Sequence, residues 1–129
     1  MPPTENLQRV PQVALDRLLH QGLFTTGLFL EVSETTTRRI TLADQIGVDT
    51  TDIDAWRDEA LLLNLANFGP EQQRILTQAG IIGLQDLLDC EAQEFQDRVA
   101  EAAYTLGVEA PNELTVQGWY DQAQVLAEG

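Results

Sequence analysis

Basic side chains are scarce in this sequence, and lysine is missing altogether. Seven arginines stand against 21 Asp and Glu residues, which gives a formal net charge of -14 at pH 7. Proteins that bind nucleic acid normally carry a basic face that displaces counterions from phosphates, and anionic membranes attract the same kind of face. The composition therefore disfavours both of these partners and is consistent with a basic protein partner or with simple solubility.

Cysteine and long apolar runs are also scarce. Cys90 is the single cysteine, which excludes an internal disulfide and a cysteine-based zinc site, and we interpret it as a small buried or half-buried residue. No apolar run approaches the roughly 18 residues that span a bilayer, and the first residues lack the pattern of a secretory signal. We expect a cytoplasmic protein without a membrane span.

No arrangement of residues predicts catalysis or a cofactor. His20 is the only histidine, and because no nucleophile matches it we place it on the surface. The segment DTTDIDAWRDE, residues 49–59, is rich in carboxylates but lacks the spacing and the glycine of a calcium loop. We interpret it as an acidic helix start on a solvated face. The sequence therefore predicts no metal site, no cofactor and no enzyme.

The chain repeats itself. One octet, WRDEALLL, begins at Trp56, and a matching octet, WYDQAQVL, begins at Trp119. Residues before each octet also match between the two halves of the chain. The number of positions between matching residues increases only across predicted loops, as small insertions in a duplicated unit would produce. Offsets of 58, 60 and 63 are illustrated by the pairs Gly22/Gly80, Gly47/Gly107 and Trp56/Trp119. We predict a flexible N-terminus over residues 1–5, a first repeat unit over residues 6–63 and a second over residues 64–127.

Both units have the pattern of short α-helices. Proline at the start and glycine at the end delimit one helix in each unit, from Pro11 to Gly22 and from Pro70 to Gly80. The stretch LFTTGLFLEV, residues 23–32, resembles a strand, but its repeat partner IIGLQDLLDC has a helical pattern, so we predict a helix in both. The predicted class is all-α, with the two units packed into one compact domain.

Each tryptophan opens the last predicted helix of its unit, and we predict Thr51 and Thr115 as the N-caps of these helices. An exposed tryptophan could be a hot spot for a partner. We prefer the interpretation that each tryptophan fills the core of its own unit, because the same apolar frame surrounds both. The predicted structural anchors are thus Trp56, Trp119, Gly22, Gly80, Gly47 and Gly107.

The segment LANFGPEQQRILTQAGIIGLQDLL, residues 65–88, resembles a helix-hairpin-helix unit. Joined to the W-x-x-x-A-x-x-L element on both sides, it resembles the domain of unknown function family 4332, which is common in cyanobacteria and similar to helix-hairpin-helix domains. The residues that carry this resemblance are Trp56, Ala60, Leu63, Phe68, Gly69, Pro70, Leu76, Ala79, Gly80, Ile81, Leu84, Leu87, Leu88, Gly107, Trp119, Ala123 and Leu126.

The resemblance implies a tandem pair of helix-hairpin-helix-like units. Members of that wider group often hold DNA phosphates with backbone N–H groups of a Gly-hydrophobe-Gly turn at a helix N-terminus. The matching triplet here is Asn67-Phe68-Gly69 in the second unit, whereas Pro11 in the first unit has no N–H to donate. Carboxylates near the second turn outnumber Arg74, and their repulsion should exceed the attraction of a few neutral amides.

We therefore expect a non-enzymatic protein-interaction or adaptor module with an acidic surface. Its partner would be another protein with a basic surface, and self-association stays open. The alternative is a nucleic-acid-associated protein that uses the turn formed by Asn67, Phe68 and Gly69. Arg38 and Arg39 form the one basic doublet; we interpret it as an exposed helix face paired with nearby acids, with docking of a partner as the alternative.

Overall fold

The computed structural model describes residues 2–128, and its regular elements are helical. A 3-10 helix at Thr4–Asn6 comes first. The α-helices within this range are α1 (Gln12–His20), α2 (Thr26–Val32), α3 (Thr36–Ile46), α4 (Thr50–Leu63), α5 (Pro70–Gln78), α6 (Leu84–Leu88), α7 (Ala92–Leu106) and α8 (Glu113–Glu128). The predicted all-α class is confirmed, and the strand-like stretch at residues 23–32 contributes α2.

The chain divides into two compact units, of which the first ends at Asn64. In this unit α4 packs against α2 and α3. One large apolar side chain from each helix is almost completely buried, namely Leu18, Phe29, Ile46 and Ile53. Each of these helices therefore turns an apolar side chain toward the core of unit 1.

The start of the chain is attached to unit 1, where we expected a flexible segment over residues 1–5. Met1 lies outside the described residues. Thr4 is fully buried; its N–H donates to the carbonyl of Phe24 at 3.0 Å and its hydroxyl to the carbonyl of Leu23 at 2.6 Å. The N–H of Thr26 donates to the carbonyl of Pro2 at 2.9 Å. These contacts hold residues 2–5 beside the start of α2. They also supply the hydrogen-bond partners that the polar atoms of a buried threonine need.

Unit 2 begins at Leu65, and in it α7 packs against α5 and α8, while α8 also packs against α6. Each of its helices contributes a side chain that is almost completely buried: Leu76, Leu87, Phe95 and Trp119. The ring of Tyr120 also lies 6.1 Å from that of Phe95. Its hydroxyl donates to the carbonyl of Cys90 at 2.9 Å, which joins α8 to the end of α6.

The four glycines that we predicted as structural anchors adopt the left-handed conformation that favours glycine. Their φ angles are 80° at Gly22, 71° at Gly47, 81° at Gly80 and 69° at Gly107. Gly47 ends α3 and Gly107 ends α7. A side chain in this conformation costs roughly 1–2 kcal/mol, so the helix ends depend on glycine at these two positions.

The predicted N-caps of the two tryptophan helices are wrong. Helix α4 is capped by Asp49, whose own N–H donates to the Asp52 carboxylate at 3.2 Å. Before α8, the side-chain oxygen of Asn112 accepts from the N–H of Leu114 at 2.7 Å. Asp and Asn are as good at this position as Thr, so residue type alone could not select among them. Within residues 2–128, no helix has both the length and the apolar character needed to cross a membrane.

Candidate functional site

The predicted hairpin turn, Asn67-Phe68-Gly69, leads directly into α5. Asn67 is exposed and has a left-handed φ of 61°, which Asn tolerates better than most residues with a side chain. Gly69 is the N-cap of α5, and its N–H donates to Gln72 Oε1 at 2.8 Å. The backbone donor at the glycine therefore already has an acceptor within the chain.

Two side chains of α8 hold the loop that precedes α5. Trp119 Nε1–H donates to the carbonyl of Ala66 at 2.9 Å, and Gln122 Oε1 accepts from the N–H of Ala66 at 3.0 Å. The ring of Phe68 meets that of Trp119 edge to face, with centroids 5.3 Å apart. The turn is thus fixed to α8 by one apolar contact and two hydrogen bonds.

Glu59 of α4 makes the corresponding contact in unit 1. Its Oε2 accepts from the N–H of Gln8 at 2.6 Å and its Oε1 from the N–H of Arg9 at 3.0 Å. The side chain is fully buried. Loss of water raises the pKa of Glu59 above its ordinary value, although the hydrogen bonds from Arg9 and Gln8 oppose that rise.

Our placement of Glu59 on a solvated face is wrong. Its burial could have been found from the two octets, because Glu59 and Gln122 both follow a tryptophan by three residues and have side chains of the same shape. A matched pair of long hydrogen-bond acceptors beside a core tryptophan is typical of an internal contact. Residue charge alone misled us, since carboxylates are rarely fully buried without partners.

The two loops therefore hold internal acceptors where a DNA-binding hairpin would offer N–H groups to phosphate. In unit 1 a phosphate would have to displace the Glu59 carboxylate from two backbone donors. In unit 2 it would compete with the side-chain oxygens of Gln72 and Gln122. An anion has less to gain at these turns than at a hairpin with free donors.

Arg38 and Arg39 lie at the start of α3, close to the end of α2. Arg38 Nη1 donates to the carbonyl of Glu31 at 3.3 Å, and Arg39 donates to the carbonyls of Ser33 and Glu34 at 2.8 and 3.1 Å. Arg39 also lies 3.7 Å from a carboxylate oxygen of Asp54. Arg39 is thus committed to the α2–α3 connection, while Arg38 is the more exposed of the two.

A third arginine, Arg57 of α4, is half-buried. Its Nη1 donates to the carbonyl of Leu30 at 2.9 Å and to Ser33 Oγ at 2.7 Å. Burial lowers the pKa of Arg57, as does the neighbouring positive charge of Arg39. The contact caps the C-terminal end of α2, where carbonyl groups lack helical partners.

The two tryptophans lie in the core, as we preferred to interpret them. Trp56 is about 4% exposed and Trp119 about 1%. Neither could be a surface hot spot without local unfolding. Cys90 is also buried, with Arg98 Nη1 3.1 Å from its sulfur, and His20 is exposed at the last residue of α1.

The carboxylates of the DTTDIDAWRDE segment are dispersed rather than gathered. Asp58 pairs with Arg9 at 2.9 Å, Asp54 faces Arg39, and Glu59 points inward. Across residues 2–128 no three His, Cys, Asp or Glu side chains are grouped so that they could hold a metal ion.

Residues 8–126 match the family model described as Domain of unknown function (DUF4332). The chain belongs to this family. No curated protein and no solved structure is significantly similar to it. The part matched to DUF4332 includes both tryptophans, the predicted hairpin turn and the two internal acceptors Glu59 and Gln122.

One face of α7 in this DUF4332 chain is acidic and ends in an exposed aromatic ring. Glu94, Asp97 and Glu101 are all exposed and follow each other by three and four residues, so they lie on one side of the helix. Tyr104, three residues further on, is 87% exposed. We call these four residues the acidic ridge. Arg98 lies 4.0 Å from a carboxylate oxygen of Glu94 and offsets part of the ridge's negative charge.

Proposed function

We propose that this chain is a non-enzymatic, cytoplasmic protein-interaction module, built from two helix-hairpin-helix-like repeat units, whose acidic ridge binds a basic surface of another protein. The observation that carries the proposal is the ridge itself: three carboxylates in a row beside a tyrosine that the fold leaves almost entirely in solvent. A tyrosine that contributes so little to the core is free to contribute to an interface.

The electrostatics of unit 2 support a basic partner. From Leu65 onward the sequence has eleven acidic residues and two arginines, a net charge of -9 out of the total of -14. A field of one sign attracts the opposite charge and speeds association. Tyr104 would supply the apolar contact, since tyrosine is enriched among the residues that dominate binding energy.

The hairpin turns give less support to the alternative, a nucleic-acid partner. Their backbone donors face Glu59, Gln72 and Gln122, and the surrounding charge repels phosphates. Gel retardation of DNA and RNA at about 0.1 M salt tests this alternative, which a Gly69→Asp substitution should weaken.

A charge-matched pair of variants tests the proposal. The ridge variant combines Glu94→Gln, Asp97→Asn and Glu101→Gln. Its control removes the same number of charges from exposed positions elsewhere, with Asp44→Asn, Glu71→Gln and Glu109→Gln. Tagged wild-type protein and both variants are purified from the native host, and each retained protein is then purified and titrated against all three and against a fourth protein, Tyr104→Ala.

We expect a retained protein that binds the wild type and the control alike, binds the ridge variant and Tyr104→Ala at least ten-fold more weakly, and dissociates as salt is raised. Equal binding by both triple variants would contradict a role for the ridge. Retarded nucleic acid, together with the absence of a protein that distinguishes the variants, would favour the alternative.

A further inference from the structure

Helix α2 presents an apolar stripe to solvent. Leu28 and Val32 lie four residues apart on one side of α2 and are 40% and 38% exposed, and Phe24, just before the helix begins, is 60% exposed. An adjacent side of the same helix carries Phe29, which is fully buried in the core of unit 1. The stripe is therefore additional to the apolar surface that the unit uses for folding.

The stripe leads into a groove between α2 and α3. The groove has a volume of about 390 Å³, and Val32 and Leu42 give it apolar walls. Arg38 stands at its edge. Among residues 2–128, no carboxylate lies within ion-pair distance of this guanidinium, although it donates to the carbonyl of Glu31. Glu31 also lines the groove, together with the neutral polar residues Thr37, Thr41 and Gln45. The walls formed by Val32 and Leu42 fit an apolar side chain, and the guanidinium of Arg38 can pair with a carboxylate that flanks it.

The stripe has no equivalent in unit 2. At the offset of 58 that aligns the predicted repeats, Leu28 corresponds to Asp86, whose carboxylate accepts from the N–H groups of Ile82 and Gly83 at 3.0 and 3.1 Å. In unit 1 Thr25 provides the cap instead, accepting from the N–H of Leu28. The helix start can therefore be built with an aspartate at this position, and folding does not require leucine there.

The last turns of α8 have the complementary surface. Val125 is 66% and Leu126 44% exposed, whereas the residues that correspond to them at the offset of 63, Leu62 and Leu63, are buried. Asp121 and Glu128 lie four residues before and three residues after Val125 on the same side of the helix. Along this side of the helix an apolar residue therefore has a carboxylate before it and another after it.

We propose that the end of α8 in one copy of this chain docks into the α2–α3 groove of a second copy. Val125 and Leu126 would pack on the stripe and the groove walls, and a carboxylate of Asp121 or Glu128 would pair with Arg38. The two surfaces differ, so the contact is head to tail and can propagate along a row of copies. This association is separate from the binding of a basic partner by the acidic ridge.

Both surfaces are small, and each copy carries a charge of -14, so the association is weak. It belongs with the transient interfaces that bury less than about 1,200 Å². The experiment is sedimentation velocity at protein concentrations up to about 1 mM and near-physiological salt, where screening limits repulsion between copies to roughly 8 Å.

Two variants each remove one of the surfaces. Leu28→Asp introduces the residue that unit 2 already has at this position, and Val125→Lys places a cation against Arg38 while suiting the C-terminal end of a helix. Val13→Asp is the matched control, because Val13 is an exposed apolar residue of α1 outside both surfaces. Arg38→Glu is a second change on the groove side, at an exposed side chain.

We expect the mean mass of the wild type and of Val13→Asp to rise with concentration above the chain mass of 14.3 kDa. Leu28→Asp, Val125→Lys and Arg38→Glu alone should each associate at least ten-fold more weakly, with unchanged melting temperatures. A mixture of Leu28→Asp and Val125→Lys should form dimers and no larger species, since one partner keeps its α8 end and the other keeps its groove.

A wild type that stays monomeric over the whole range would overturn the proposal. So would a mixture of Leu28→Asp and Val125→Lys that stays monomeric while the wild type associates, because that result requires a symmetric contact. Equal weakening by Val13→Asp would place the contact elsewhere.

Discussion

Replacing Glu59 by glutamine should change how the stability of the protein depends on pH. Glu59 is fully buried and accepts hydrogen bonds from two backbone N–H groups. Glutamine has the same shape and keeps one acceptor oxygen, but its NH2 group must face one of the two donors. That mismatch costs about 1 kcal/mol, and it is offset near neutral pH because no charge is buried.

The sign of the pH effect follows from the raised pKa of Glu59. The folded chain retains the proton at pH values where the unfolded chain, with the ordinary pKa of 4.5, has released it. The stability that Glu59 contributes is therefore complete below the ordinary pKa and is lost as the pH rises through the folded pKa. The unfolding free energy of the wild type minus that of Glu59→Gln should fall as the pH increases.

Urea unfolding measured from about pH 5 to pH 8 would test this, since the range stays above the isoelectric point of about 4.1. Glu59→Ala, which removes the acceptor of both donors, should cost roughly 2–5 kcal/mol across that range. The reciprocal change, Gln122→Glu, should introduce a smaller loss of stability with rising pH in unit 2, because Gln122 is only half-buried. A difference between wild type and Glu59→Gln that grows with pH would refute the reasoning, because it would mean that the hydrogen bonds outweigh the loss of water.

Other substitutions test the packing and the helix ends. Trp56→Ala should lower the unfolding free energy by about 3–5 kcal/mol in calorimetry or urea unfolding, as expected for a buried large aromatic residue; an unchanged melting temperature would contradict its place in the core. Trp119→Phe keeps a ring but loses the hydrogen bond to Ala66 and should cost about 1–3 kcal/mol, and an unchanged unfolding free energy would argue against the contact with the loop. Gly107→Ala should destabilise the protein by about 1–2 kcal/mol through its left-handed backbone alone, since a Cβ there meets no atom within 4 Å. Gly118→Ala, inside α8, should stabilise the protein by up to about 1 kcal/mol. A change of the same sign in both variants would contradict the assigned backbone conformations.

The helices could be predicted because their signals are local or repeated. Pro70 and Gly80 delimit α5 by backbone chemistry that does not depend on the rest of the fold. The strand-like stretch at residues 23–32 was assigned to a helix only because its match in the second half has a helical pattern. Comparison of the two halves of the chain therefore predicts the helix correctly, although the local residue types favour a strand.

Contacts between distant parts of a unit could not be predicted in the same way. The matched octets indicate an internal acceptor at Glu59, but the loop that it contacts lies about 50 residues earlier in the chain, and no spacing rule identifies that loop. The attachment of Thr4 beside α2 likewise depends on partners that the first five residues do not reveal. The exposure of Leu28 could not be predicted either. An apolar residue in a helix is expected in the core, and only the orientation of α2 in the folded unit shows that this one faces solvent.

The binding of the basic partner by the acidic ridge is tested most directly by calorimetric titration of that partner with the wild type, the ridge variant and the charge-matched control. If each of the three carboxylates of the ridge contributes about 0.5–1 kcal/mol to the binding free energy, the ridge variant should lose roughly 10- to 100-fold in affinity. The control should bind within about three-fold of the wild type, because it leaves the ridge intact. Equal affinities for the ridge variant and the wild type would contradict the proposed interaction site.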